Sequence, residues 1–183
     1  WVNVLKRSNI YLNTSLEASH ELEILNGVRL MNRFEVAFRR SVSDYKVGNN
    51  ADSIFGIPNE PPVDFDPYNA TYNEIKLYIT PGLKYIREPK EKIFLGSKWP
   101  TFYVIWKKGI PGLIKSEINF DYLELGLEQN INFGVMGNTS YIIKTGDFFN
   151  TKDLRIIDYK FMRQGDPLFF QNPQKAFQAL DST

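Results

Sequence analysis

The sequence predicts an all-β fold, an antiparallel meander of about seven long strands that makes up part of a barrel wall. Three observations predict it. Residues 10–24 alternate apolar and polar without a break, and residues 28–42 do the same after a gap of three. These stretches are long, because at about 3.3 Å per residue the first would run on the order of 50 Å, whereas ordinary strands have about five or six residues. Helical periodicity is scarce, and clusters of Gly, Pro, Asn and Asp recur between the arms.

In the first arm Ile10, Leu12, Thr14, Leu16, Ala18, His20, Leu22 and Ile24 share one face, and Tyr11, Asn13, Ser15, Glu17, Ser19, Glu21 and Glu23 share the other. In the second, Val28, Leu30, Phe34, Val36, Phe38 and Val42 oppose Arg29, Arg33, Glu35, Arg39 and Ser41. The two arms constrain their own turn. A two-residue Asn26-Gly27 turn would set Ile24 opposite Arg29 and mix the faces, since residues directly across a hairpin point the same way. A three-residue connection, Leu25-Asn26-Gly27, with Gly27 left-handed and a bulge, keeps the faces apart. It places Ile24 opposite Val28, Leu22 opposite Leu30 and Glu23 opposite Arg29. Glu21 then lies diagonal to Arg29 and Arg33. Glu17 falls opposite Glu35, a like-charge contact that needs water or a nearby cation.

Residues 44–70, with Gly48-Asn49-Asn50 and Asn59-Glu60-Pro61-Pro62, read as a long surface loop within a single unit spanning 1–183. Alternation returns at 73–80, where Ile75, Leu77 and Ile79 oppose Glu74, Lys76 and Tyr78, and Pro81-Gly82 ends it. The charged run from Arg87 to Lys92 reads as a turn between two extended arms within 85–100. Residues 101–108 set Phe102, Val104 and Trp106 against Thr101, Tyr103, Ile105 and Lys107, and Gly109-Ile110-Pro111-Gly112 breaks the pattern. Residues 118–130 carry Asp121, Leu123, Leu125 and Leu127 on one parity and Tyr122, Glu124, Gly126 and Glu128 on the other. Residues 139–145 and 155–163 complete the set, and 174–180 predict a short helix with Ala176, Phe177 and Leu180 inward.

Composition narrows the chemistry. A formal charge of +1 over 183 residues implies no nucleic-acid partner, and the 15% aromatic content suits either a β-rich core or a membrane-interface girdle. With no cysteine there is no disulfide, thiolate metal site or thiol catalysis. There is neither a basic-then-apolar leader pattern nor a run of about eighteen apolar residues, so a membrane crossing would be made by strands. Trp1 is not a natural initiator, and the sequence reads as a segment of something longer or a processed product. The single histidine, His20, sits on an apolar register and reads as packed or interface-facing, because nothing completes a metal or triad site around it. Gly134-Val135-Met136-Gly137 lacks the spacing of a dinucleotide fingerprint, and Asp52, Glu60, Asp64 and Asp66 lack that of a calcium loop. No catalytic residue, metal site or cofactor is predicted. The charges Glu17, Glu21, Glu23, Arg29, Arg33, Glu35 and Arg39 either line an aqueous lumen or form the solvent face of a soluble sheet, and periodicity does not separate the two.

From Asp66 onward a family likeness appears. The motifs are Asp66-Pro67-Tyr68-Asn69-Ala70, Pro81-Gly82-Leu83-Lys84-Tyr85-Ile86-Arg87-Glu88-Pro89 and Leu95-Gly96-Ser97-Lys98-Trp99-Pro100-Thr101-Phe102. Lys107-Lys108-Gly109-Ile110-Pro111-Gly112 and Asp121-Tyr122-Leu123-Glu124-Leu125 follow in order. Over roughly 66–181 the chain resembles the carboxy-terminal barrel of a large family of Gram-negative outer-membrane proteins of unknown function, in which a carboxypeptidase-regulatory-like domain precedes the barrel. The resemblance implies a transmembrane β-barrel in the outer membrane, with a structural, transport or surface-interaction role and no catalysis. Its implied partners are outer-membrane lipid and other outer-membrane or periplasmic proteins. It also implies that the chain is a fragment, lacking the regulatory-like domain and further strands. Short turns would lie on the periplasmic side and the 44–70 loop outside. The alternative is a soluble β-barrel or sandwich that binds an apolar ligand or a protein, with the same apolar registers turned onto an enclosed core. Leu16, Val36, Phe38, Leu123 and Leu125 discriminate: an outward belt about 25 Å tall favours the membrane, and a sealed interior excludes it.

Overall fold

The computed structural model describes residues 11–42, 64–89 and 91–160, and these are all-β. In chain order the strands are β1 (Tyr11–Leu25), β2 (Val28–Ser41), β3 (Tyr68–Ile79), β4 (Lys84–Arg87), β5 (Lys92–Gly96), β6 (Thr101–Gly109), β7 (Asn119–Asn132) and β8 (Asn138–Asp153). Six of them form one antiparallel sheet in the order β1-β2-β3-β6-β7-β8, and β4 and β5 form a separate hairpin between β3 and β6. No helix among the described residues is long and apolar enough to cross a membrane. The edge strands β1 and β8 do not pair with each other, so the described strands leave the barrel open.

The count of about seven strands thus resolves into six long ones and a short hairpin, the latter built from the two arms around the charged run. Of the arm predicted at 155–163, the described part is no strand: a 3-10 turn occupies Ile156–Asp158. The reason is Asp158, whose side chain is drawn into the core by a buried ion pair with Arg39 and so takes the chain off the sheet. Residues 44–63 of the predicted loop and the helix predicted at 174–180 lie outside the described residues.

The first hairpin follows the parity argument with one change. Leu22 pairs with Leu30, Glu23 with Arg29 and Glu17 with Glu35, but Leu25 pairs with Val28 in place of Ile24, which becomes the bulge. One residue of excess has to be absorbed, and a bulge at Ile24 preserves the two faces as well as a longer loop does. Gly27 adopts φ 82°, and its carbonyl accepts a hydrogen bond from Thr80 N at 2.7 Å. A Cβ at Gly27 would overlap the Thr80 carbonyl, so the end of β3 fits against this turn only because the residue is glycine.

The registers carry each face across the whole sheet. On the apolar side Leu22, Leu30, Leu77, Val104 and Leu125 form one cross-strand row, and Val28, Ile79, Phe102, Leu127 and Ile143 form the next. On the other side run Arg33, Glu74, Lys107 and Tyr122, and then Arg29, Tyr78, Tyr103, Gly126 and Lys144. Burial is inverted relative to a water-soluble sheet. Leu16 is 77% exposed, Leu22 51% and Leu125 46%, whereas on the charged side Tyr72 is 1% exposed and Phe120 is fully buried. Val36 and Leu123 are half-buried and Phe38 is exposed, so none of the five discriminating residues enters a sealed interior.

Curvature accounts for the inversion. Arg29 on β2 and Ile142 on β8 line one cleft of about 510 Å³, although on a flat sheet their strands would lie about 19 Å apart. The sheet is therefore curled with the charged side inward. Glycines on that side make room for the curl: Gly126 lies under the Tyr103 ring, Gly109 under Phe120 and Gly146 under Tyr122, each at a distance that a Cβ would obstruct. The core sits at one end of this inner face, where Ala37, Tyr68, Ala70, Tyr72, Ile118, Phe120 and Tyr122 cluster with Phe65, Phe148, Leu154 and Ile157 packed against them.

Candidate functional site

The inner face is the site to consider, because every strand of the sheet contributes a charged residue to it. All seven charged residues singled out in β1 and β2 lie on it: Glu17, Glu21, Glu23, Arg29, Arg33, Glu35 and Arg39. Their pairing is specific. Arg29 Nη1 donates to Glu21 Oε1 at 3.1 Å, and Arg29 Cζ lies 5.4 Å from the Tyr78 ring centroid. Arg33 is a hub, 3.9 Å from Glu17, 3.5 Å from Glu35 and 3.5 Å from Glu74, and it is the cation that the Glu17 and Glu35 contact requires. Glu21 engages Arg29 and not Arg33 among the ion pairs, so the diagonal expectation holds for one partner. Glu23 pairs with Lys92 of β5, which fastens the small hairpin to this end of the face.

At the opposite end Arg39 enters the core. Its Nη1 donates to Asp158 Oδ1 at 2.6 Å and to Tyr68 Oη at 3.1 Å, and its Nε donates to Asn13 Oδ1 at 3.3 Å. The Tyr72 hydroxyl donates to the same Asp158 oxygen at 2.6 Å, and the Tyr68 hydroxyl to the second at 3.3 Å. The guanidinium also stands over the rings of Tyr72, Tyr68 and Tyr11, at 5.0, 5.9 and 5.9 Å from their centroids. Lys107 lies 4.4 Å from the Tyr72 centroid, and Tyr122 donates to the buried Glu124 at 2.7 Å, with Lys160 3.5 Å away.

Sequence reading missed four residues of this face that matter most to its end: Tyr68, Tyr72, Lys107 and Asp158. Only Lys107 stood on a polar parity: Tyr68 fell in the predicted 44–70 loop, whose end is in fact the start of β3, and Tyr72 fell just before the predicted alternation, so the register of β3 against β2 and β6 is what sets them beside Arg39 and Glu74. Asp158 had no local signal, being 119 residues from the arginine it binds. His20 faces the other side, opposite Asn32, and is exposed, so the packed reading of it does not hold. No group of three metal-ligating side chains occurs among the described residues.

The cleft at the β4–β5 end is lined by Arg29, Phe94, Trp99, Glu128, Gln129 and Tyr141. Tyr141 donates to Gln129 Oε1 at 2.6 Å, and Gln129 Nε2 donates to the Lys98 carbonyl at 2.8 Å, which ties the β5–β6 connection to β7 and β8. What this arrangement supplies is an internally paired polar surface.

Comparison with known proteins gives one result. The family model described as "Family of unknown function (DUF5686) C-terminal domain" matches residues 3–183. No curated protein and no solved structure matches the chain.

Proposed function

The chain belongs to this family as its C-terminal domain, and from that premise we propose that it forms a stretch of β-barrel wall in the outer membrane of a Gram-negative bacterium. One observation carries the reading: the apolar side leaves Leu16, Leu22, Phe102 and Leu125 in the open, while the side that carries the arginines, glutamates and tyrosines curls inward and holds the buried core. In water this arrangement exposes apolar surface on every strand; in lipid it puts the apolar register against acyl chains and the charges along an aqueous lumen. Strand tilt supports it too. The row that holds Ala18 and Phe34 on β1 and β2 holds the Lys108–Asp121 ion pair, 3.0 Å, on β6 and β7, so the apolar band runs diagonally across the strands.

The role that follows is structural, in transport or in surface interaction, without catalysis, and the lipid of the outer membrane is the primary partner. Other outer-membrane or periplasmic proteins fit the same role, as does a carboxypeptidase-regulatory-like domain in the fuller polypeptide. The two open edges, β1 and β8, call for further strands, because unpaired backbone groups are not tolerated in hydrocarbon. The test is partition. Expressed with and without detergent, the chain is expected in the membrane fraction and folded only in micelles or vesicles. A soluble monomer that unfolds cooperatively in plain buffer overturns the proposal.

A further inference from the structure

The end of the inner face around Arg39 is a site with an occupant already in it. Arg39 is a deeply buried cation, its side chain 9% exposed, and Asp158, 1% exposed, is its ion-pair partner among the described residues. The carboxylate receives three donors: Arg39 Nη1 at 2.6 Å, Tyr72 Oη at 2.6 Å and Tyr68 Oη at 3.3 Å. Guanidinium and two phenols, fixed on the neighbouring strands β2 and β3, are a preorganised carboxylate receptor, and a buried guanidinium without its counter-ion is costly enough that the pocket demands an anion. The occupant arrives from outside the sheet. After β8 ends at Asp153, the chain leaves the ladder, Leu154 and Ile157 pack on the core, Tyr159 meets Phe148 at 6.0 Å, and Lys160 reaches Glu124.

We infer that Arg39, Tyr68 and Tyr72 form a carboxylate-binding site on the inner wall, and that residues 154–160 are a built-in latch whose Asp158 fills it. The latch closes this end of the inner face. Because the carboxylate is tethered a few residues from β8, its effective concentration exceeds that of small carboxylates in solution, and free acids do not displace it from the intact chain. Once Asp158 is removed, the site takes a small carboxylate from solution. The assignment goes beyond the barrel reading and does not depend on it, since the contacts are the same whether the outer side meets lipid or water.

Chemical rescue tests it. Asp158→Ala deletes the carboxylate and leaves space for formate. Thermal unfolding of the whole chain, in whichever of buffer or micelles keeps it folded, is followed in sodium formate and in sodium chloride at equal concentration. Formate is expected to raise the Tm of Asp158→Ala by a few degrees relative to chloride, with no difference for the parent or for Arg39→Met/Asp158→Ala. A second readout covers a variant that folds poorly. The chain has no native cysteine, so Ile157→Cys is a unique label. Its reaction with a water-soluble maleimide is expected to accelerate about tenfold or more when Asp158→Asn is added, in line with the loss of charged hydrogen bonds. Lys152→Cys, on exposed β8, serves as the unchanged control. Equal formate response in parent and Asp158→Ala, or labelling of Ile157→Cys that ignores Asp158→Asn, overturns the assignment. Failure of the partition test leaves both readouts intact, so the two proposals fall separately.

Discussion

Single side chains decide whether so many charges can share one face. Arg33 stands between three glutamates, and two of them, Glu35 and Glu74, keep only 13% and 12% of their side-chain surface in water. Glu74 Oε1 has cations 3.0 Å away at Lys76 and 3.5 Å away at Arg33 but no aligned hydrogen bond, so it is held by charge. Replacing Arg33 by methionine keeps the stem and removes the cation, which leaves Glu17 and Glu35 directly opposed. We expect a loss of about 2 kcal/mol, between the value of an exposed pair and that of a buried one. Adding Glu35→Gln to Arg33→Met is expected to recover about half of it. Urea midpoints of the two variants check both figures, and an Arg33→Met midpoint equal to the parent's sinks the hub role. Six of the seven inner-face charges of β1 and β2 were legible from parity with their neighbourhoods roughly right, since cross-strand partners in a hairpin follow from the turn. Arg39 was legible only as a position, because its partner reaches it through the tertiary fold.

At the scale of elements, curvature is what parity cannot convey. A period-two pattern states which residues share a face but not whether that face is wet or enclosed, and the bend comes from small residues set against large ones on neighbouring strands. Tyr103 of β6 pairs directly with Gly126 of β7, and a Cβ on Gly126 would run into the phenol ring. Gly126→Ala is therefore expected to cost about 1–3 kcal/mol, as overpacking does, despite its gain in strand propensity. Combined with Tyr103→Ala, the same alanine should cost little, so a double-mutant cycle returns a coupling of about 1 kcal/mol or more. Additive effects would mean that the ring moves aside freely and that the glycine does not set the bend. The bulge at Ile24 is a second case: the sequence required one surplus residue between the arms, and backbone geometry, not side-chain pattern, chose to place it in β1 instead of in the turn.

For the whole molecule, the decisive property is that the exposed side is the apolar one. Composition could not reveal it, because the same leucines in the same register would serve a sealed core as well as an open face; the curl toward the charged side is what leaves that register open among the described strands. That leaves a sharp test in Leu125, which is 46% exposed and lies in the row of Leu22, Leu30, Leu77 and Val104. If the convex side faces water, Leu125→Arg exchanges one solvated side chain for another and shifts stability by no more than about 0.5 kcal/mol. If it faces hydrocarbon, the arginine must be carried near the middle of the bilayer, and refolding into vesicles should lose about 2–4 kcal/mol. Ser19→Gln, on the charged side of β1 opposite Arg33, is the control and should be close to neutral in both cases, since it sets no second cation against that guanidinium. Measured in lipid vesicles, a large penalty at Leu125 together with none at Ser19 assigns the two sides. Equal and small effects at both positions would return the sheet to water, with its apolar side left for a protein or an apolar ligand to cover.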